Sequence, residues 1–231
     1  IALIPVVLYR EAAANETPER IAVKTADAGS ALLSFIKSPG VLAWLGVLLL
    51  YKVGDGMSSG MVKLMFYDGG LSKAEIGGVI GTGGFIAGLC GALVGGWLVP
   101  RLGQYRALFV FVLLQGTMAA AYGLYPLGLN SFAAVTALVV CEHWVSGMHT
   151  AAMFTVMMGA CRIGFEGSDY TVQASVFVAA NGLGIFVSGF IAEAVGYSAV
   201  HFIGGGLALI VAIPIVRAWR GAGFRAVRLS V

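Results

Sequence analysis

Long apolar runs, separated by short polar or charged segments, make up most of the sequence. A membrane-spanning helix needs about 20 mostly apolar residues, and six runs are long enough. We therefore expect an all-α, polytopic membrane protein with a six-helix transmembrane bundle over residues 39–217. The predicted helices cover residues 41–66, 74–99, 106–126, 131–160, 171–195 and 199–217.

Three further segments flank the predicted bundle. Residues 1–9 are apolar and are predicted to be the tail of a preceding transmembrane helix. Residues 10–38 carry eight charged side chains and are predicted to be a cytoplasmic linker, in which ALLSFIK forms a short amphipathic helix. Residues 218–231 form a basic cytoplasmic tail. This order is expected of the second half of a six-plus-six transporter, so a missing N-terminal half is a predicted partner.

Composition and charge define the environment and the orientation. Hydrophobic residues make up 59% of the chain and charged residues 11%, which excludes an ordinary soluble domain. Basic residues concentrate on one side of the spans, so the linker and the C-terminus are predicted to be cytoplasmic. The lipid bilayer is then the expected partner, and the net charge of +3 needs no nucleic acid. The eleven basic residues on that side are Arg10, Arg20, Lys24, Lys37, Arg101, Arg106, Arg162, Arg217, Arg220, Arg225 and Arg228; Lys63 and Lys73 fall on the other.

Two opposite charges lie in the middle of the first predicted span, in the stretch LLLYKVGDGMSSG. A charge at the centre of a spanning helix costs about 3 kcal/mol, so such residues commonly mark a pathway. Lys52 and Asp55 are three residues apart, which places them on one helical face where they can neutralise each other. Ser59 continues this face. The pair is either a structural ion pair or part of a solute or proton site, in which Lys52 attracts an anionic substrate.

The fourth predicted span is the richest in polar side chains. Glu142, Ser146 and His149 form one stripe, with His143 on the neighbouring stripe. A buried carboxylate beside imidazoles suits proton exchange, with Glu142 as the proton carrier. The alternative is that these groups only hydrogen-bond across the bundle. The order and the His spacing differ from the His-Glu-x-x-His pattern of zinc peptidases, so an enzyme is not expected.

Single polar residues occur in the other spans. Gln115 lies mid-span in the third helix, and Gln173 and Asn181 lie on roughly one face of the fifth. They are either solute contacts or polar links between helices. Ser168 or Asp169 is predicted to cap the fifth helix. The cysteines are predicted to be packing residues, so neither a metal nor a cofactor is expected; they are Cys90, Cys141 and Cys161.

Glycines recur along the second predicted span at spacings of three and four residues. Such a face without side chains lets helices approach closely in lipid, and it also suits helices that slide during alternating access. The glycines are Gly77, Gly81, Gly84, Gly88, Gly91 and Gly95.

The turn after this span resembles the cytoplasmic loop of the major facilitator superfamily, Gly-x-Leu-x-Asp-Arg-x-Gly followed by basic residues. Pro100 replaces the acidic residue of that pattern. The resemblance implies alternating access between two halves and a cytoplasmic gate loop. The matching residues of the gate loop are Gly96, Arg101, Gly103 and Arg106, together with Leu98.

Within that superfamily, the chain resembles the AmpG-type permease branch. The segments LYKVGD and GGLSKAEIG, together with Glu142 and the residues from Gly147 to Ala152, carry this resemblance. It implies a proton-driven inner-membrane permease that imports muropeptides. His143 and residues 167–173 depart from the branch, and the latter resemble siderophore importers. A siderophore importer and a non-transporting membrane sensor are therefore the alternatives.

Overall fold

The computed structural model describes residues 28–220, and every regular element in that range is helical. All six predicted helices are confirmed, with ends that differ by a few residues. Residues 1–9, residues 10–27 of the linker and residues 221–231 lie outside the described range. The helices are α1 (Ala28–Ile36), α2 (Val41–Asp68), α3 (Lys73–Leu102), α4 (Gln104–Leu124), α5 (Phe132–Gly159), α6 (Glu166–Val195) and α7 (Tyr197–Arg220).

Among the described residues, five helices are long and apolar enough to cross a membrane: α2, α3, α4, α6 and α7. Helix α5 has 28 residues but is not among the five. Its middle carries Glu142, His143 and His149, which lower its hydropathy. The chain is therefore a multi-pass membrane protein, in which α5 lies against its neighbours α3 and α4.

The long helices form a row in which each helix packs chiefly on the next, in the order α3, α5, α4, α7, α2 and α6. The predicted glycine face of α3 accounts for the contact with α5. A side chain at Gly84, Gly91 or Gly95 would overlap α5, and one at Gly147 of α5 would overlap α3. These glycines therefore set how closely the two helices approach.

The beginning of α3 differs from the regular helix that was predicted. Residues Gly77–Gly84 are π-helical, and they join the first turn Lys73–Ile76 to the α-helix Phe85–Leu102. A π-helix has more residues per turn than an α-helix, so the glycine face does not continue through it in register. Accordingly, Gly77 and Gly81 face open space, where an added Cβ would meet nothing within 4 Å, whereas Gly84 faces α5.

The start of α6 also differs from the prediction. The helix begins at Glu166, so neither Ser168 nor Asp169 is its cap. Asp169 is fully buried and instead pairs with Arg162, whose Nη2 lies 2.7 Å from Asp169 Oδ1 and whose Nε lies 2.8 Å from Oδ2. These hydrogen bonds raise the pKa of the Arg162 guanidinium above its ordinary value. Arg162 also donates to Ser34 Oγ at 2.8 Å, which ties α1 to the α5–α6 connection.

Candidate functional site

Two buried apolar clusters lie at different heights in the bundle. The larger cluster includes Leu48 of α2, Phe111 of α4 and Met153 of α5. The smaller includes Phe66 of α2 and Val139 of α5. Between these heights the same three helices carry polar side chains, which places a polar layer inside the membrane-spanning part of the bundle.

This layer surrounds a cavity of about 270 Å³. Helices α2, α3, α4 and α5 all contribute to its wall. Six of the predicted site residues line it: Asp55, Ser59, Gln115, Glu142, His143 and Ser146. The other lining residues are Ser58, Val62, Lys63, Ile80, Ala119 and Tyr122.

Glu142 has more polar side-chain partners than any other residue that lines the cavity. Its Oε1 accepts a hydrogen bond of 2.7 Å from Gln115 Nε2, and its Oε2 accepts one of 3.2 Å from the Tyr122 hydroxyl. His143 Nδ1 lies 2.7 Å from the same Oε2 and 3.0 Å from the Val139 carbonyl oxygen. Because a carbonyl oxygen can only accept, Nδ1 carries a proton and donates. These contacts tie α4 to α5 around the Glu142 carboxyl group.

The contact predicted between Lys52 and Asp55 is present, with Lys52 Nζ 2.5 Å from Asp55 Oδ2. Lys52 Nζ also lies 4.5 Å from the centre of the Phe177 ring on α6. Asp55 reaches the cavity wall, whereas Lys52 is not among the residues that line it. In this conformation the lysine therefore neutralises Asp55 and packs on α6.

His149 lies apart from the cavity, at the height of the larger apolar cluster. Its Nδ1 is 2.9 Å from the Tyr51 hydroxyl, and the two ring centres are 4.2 Å apart. The imidazole is 2% exposed, and its Nε2 has no hydrogen-bond partner among the described residues. This pair links α2 to α5 below the polar layer.

The predicted residues of α6 also lie outside the cavity. Gln173 Oε1 accepts a hydrogen bond of 2.6 Å from Trp44 Nε1, and its Nε2 donates to the Met157 carbonyl oxygen at 3.0 Å. It therefore links α2, α5 and α6. The backbone of Asn181 faces Gly56, where an added Cβ would overlap the Asn181 carbonyl oxygen. Both positions serve helix packing in this conformation.

The predicted gate loop is the turn between α3 and α4. Gly103 has a φ of 82°, which ends α3 and starts α4 within one residue. Arg101 stacks on Trp97, 3.8 Å from the ring centre, and donates to the Trp97 carbonyl oxygen at 2.7 Å. Gly96 and Arg106 are exposed nearby. The turn is basic at the surface and does not contribute to the cavity wall.

His201 of α7 was not predicted to be a site residue. It is fully buried, and its Nδ1 lies 2.7 Å from Oγ of Ser58, a residue of the cavity wall. Its ring centre is 5.5 Å from that of Tyr122. A polar side chain inside an apolar run is costly, and the same reasoning that selected Glu142 would have selected His201.

The glycine face of α3 also makes room for the cavity. A Cβ at Gly84 would lie 2.6 Å from Cδ2 and 2.8 Å from Nε2 of His143. We expect Gly84→Ala to displace this imidazole and to break its contact with Glu142, whereas Gly81→Ala, with nothing within 4 Å, leaves it in place. Nitrogen-15 spectra of histidine-labelled protein, which show only three imidazoles from this chain, measure the change at His143. An unchanged His143 signal in Gly84→Ala would contradict this packing.

Comparison with known proteins identifies relatives of the chain. No family model matches. The anhydromuropeptide permease of Escherichia coli (strain K12) is 32% identical over 162 residues, which are 69% of this chain and 33% of the relative. A putative transporter AmpG 2 of Rickettsia typhi is 25% identical over 81% of this chain and 46% of the relative. An uncharacterized protein of Haemophilus influenzae is 30% identical over 72% of this chain and 41% of the relative.

These matches cover most of the described helices, and the chain spans less than half the length of the curated relatives named here. The relatives that carry a functional name are permeases or transporters, not enzymes. The chain belongs to the AmpG-type permease branch, the family that its sequence motifs resemble.

Proposed function

We propose that this chain is the C-terminal half of a permease that imports anhydromuropeptides with protons across the inner membrane. The observation that carries the proposal is the polar cavity around Glu142 inside the bundle, in a chain related to a named anhydromuropeptide permease. The siderophore alternative has no support among the relatives named above. The missing N-terminal half would complete the cavity, and the two halves would alternate access to it.

Glu142 can couple a proton to helix movement because its hydrogen bonds depend on its charge. The ionised carboxylate accepts from Gln115 and Tyr122 of α4 and from His143 of α5. A protonated carboxyl group has one acceptor site fewer and becomes a donor. Protonation would weaken these hydrogen bonds, because a neutral oxygen accepts less strongly than a charged one, and would thereby loosen the link between α4 and α5. That change supplies the difference between two states that proton coupling requires.

The remaining predicted site residues divide into two groups under this proposal. Asp55, Ser59 and Ser146 face the cavity and would contact the solute or its water. The others support them from neighbouring layers of the bundle. Lys52 fixes Asp55, while His149, Gln173 and Asn181 hold the helices that carry the cavity wall.

The charge distribution supports an orientation with the linker and the C-terminus in the cytoplasm. The connection between α2 and α3 would then face outward, and the α3–α4 turn with Arg101 and Arg106 would face inward. In that orientation, the solute enters from the end of the bundle that carries Lys63 and Lys73.

The test is uptake of a labelled anhydromuropeptide by inside-negative vesicles that contain the whole protein. We expect accumulation above the external concentration, and we expect a protonophore to abolish it, because the proton gradient drives the import. Vesicles without the protein are the control. Folded protein that accumulates no anhydromuropeptide would contradict the substrate, and accumulation that resists the protonophore would contradict proton coupling.

A further inference from the structure

A second cavity lies between the C-terminal part of α2 and the beginning of α3. This outer groove has a volume of about 510 Å³. Apolar side chains and bare glycine backbone form most of its wall, and the π-helical segment Gly77–Gly84 forms one side. Its lining residues are Gly60, Lys63, Leu64, Tyr67, Lys73, Ile76, Gly77, Ile80 and Gly81.

The charged side chains that line the outer groove are both basic. Lys63 and Lys73 are its charged lining residues, and neither forms an ion pair with a described residue. The nearby carboxylates of Glu75 and Asp68 accept hydrogen bonds from other residues. Glu75 accepts hydrogen bonds of 2.8 and 2.7 Å from the backbone N–H and hydroxyl of Ser72, and Asp68 accepts one of 2.5 Å from the Tyr197 hydroxyl.

The outer groove adjoins the polar cavity around Glu142. Lys63 and Ile80 line both of them. A ligand in the groove would therefore lie against the same lysine that borders the cavity. An anionic lipid headgroup would satisfy the two lysines, but it gives no reason for the groove to lie beside a polar cavity inside the bundle. A solute that passes through the bundle does.

We propose that the outer groove binds a carboxylate of the incoming solute, with Lys63 and Lys73 as the cations that recognise it. This inference rests on the proposed import function and names the group of the solute that the groove binds. A peptide ends in a carboxylate, and two ammonium groups over an apolar floor suit such a group with an attached aliphatic chain. Lys63, which borders both spaces, then passes the solute to the inner cavity, whereas Lys52 is occupied by Asp55.

Equilibrium binding to the purified whole protein tests the site. Two labelled probes are compared, an anhydromuropeptide with free peptide carboxylates and the same molecule with those carboxylates amidated. We expect the wild-type protein to bind the free acid more tightly than the amide. The Lys63→Gln and Lys73→Gln variants should each bind the free acid about tenfold more weakly than the wild type does, which is the scale of a hydrogen bond to a charged group. The amidated probe should bind these variants and the wild type equally.

Two further variants serve as controls. Lys63→Arg keeps the charge and should retain the preference for the free acid. Lys37→Gln removes an exposed lysine that is distant in sequence from the groove residues, so it should not change the binding of either probe. The site would be overturned if the wild type bound the acid and the amide equally, or if the preference for the acid survived Lys63→Gln. Equal binding of the two probes is also the result expected if the groove binds a lipid. Preferential binding without uptake would refute the import function alone, whereas uptake without the preference would refute this site alone.

Discussion

Replacing Glu142 with glutamine is expected to abolish proton-driven accumulation while leaving solute exchange in place. The amide has the shape of the carboxyl group and can still bond to Gln115 and Tyr122, but it cannot bind and release a proton. Loss of a positioned proton-transfer group commonly costs about a hundredfold or more. Accumulation is measured in inside-negative vesicles, and exchange is measured as the entry of labelled solute into vesicles loaded with unlabelled solute.

Glu193→Gln is the matched control, since Glu193 is an exposed glutamate near the end of α6. We expect it to accumulate solute like the wild type. A Glu142→Gln variant that still accumulates solute would show that another group carries the proton. Equal loss of exchange and accumulation would show that Glu142 holds the solute or the fold instead.

The sequence predicts the helices well because each is a run of about 20 or more mostly apolar residues, a signal that does not depend on neighbours. It also predicts contacts within one helix. The Lys52–Asp55 pair follows from a spacing of three residues, and it is present. The π-helical segment of α3 was not predicted, because glycines at spacings of three and four are compatible with either helix type.

Contacts between helices are the part that the sequence did not predict. Glu142 stood out because it is a charge in an apolar run, but its partners Gln115 and Tyr122 come from α4. Hydropathy gives no rotation of one helix relative to another, so it could not separate lining residues from packing residues. Lys52 and Lys63 illustrate this difference between packing and lining residues. Both are lysines of α2, yet only Lys63 borders the two cavities.

Gly95→Ala is expected to destabilise the bundle, whereas Gly96→Ala, the same change one residue later in α3, is not. A Cβ at Gly95 would lie 2.6 Å from Cα and 2.8 Å from the carbonyl oxygen of Met148. These are backbone atoms, so α3 and α5 would have to separate, and overpacking of this kind costs about 3 kcal/mol. At Gly96 nothing lies within 4 Å, and alanine favours the helix by about 1 kcal/mol.

Thermal unfolding of the purified whole protein in detergent measures the difference between these two variants. We expect a lower midpoint for Gly95→Ala and an unchanged or higher one for Gly96→Ala. Equal midpoints would contradict the close approach of α3 and α5. The result also bears on the cavity, because Met148 lies on the same helix as Glu142 and His143. Because α3 and α5 both contribute to the cavity wall, a separation of the two helices at Met148 would also change the cavity beside Glu142, so the stability of this contact and the geometry of the proposed proton site depend on the same glycine.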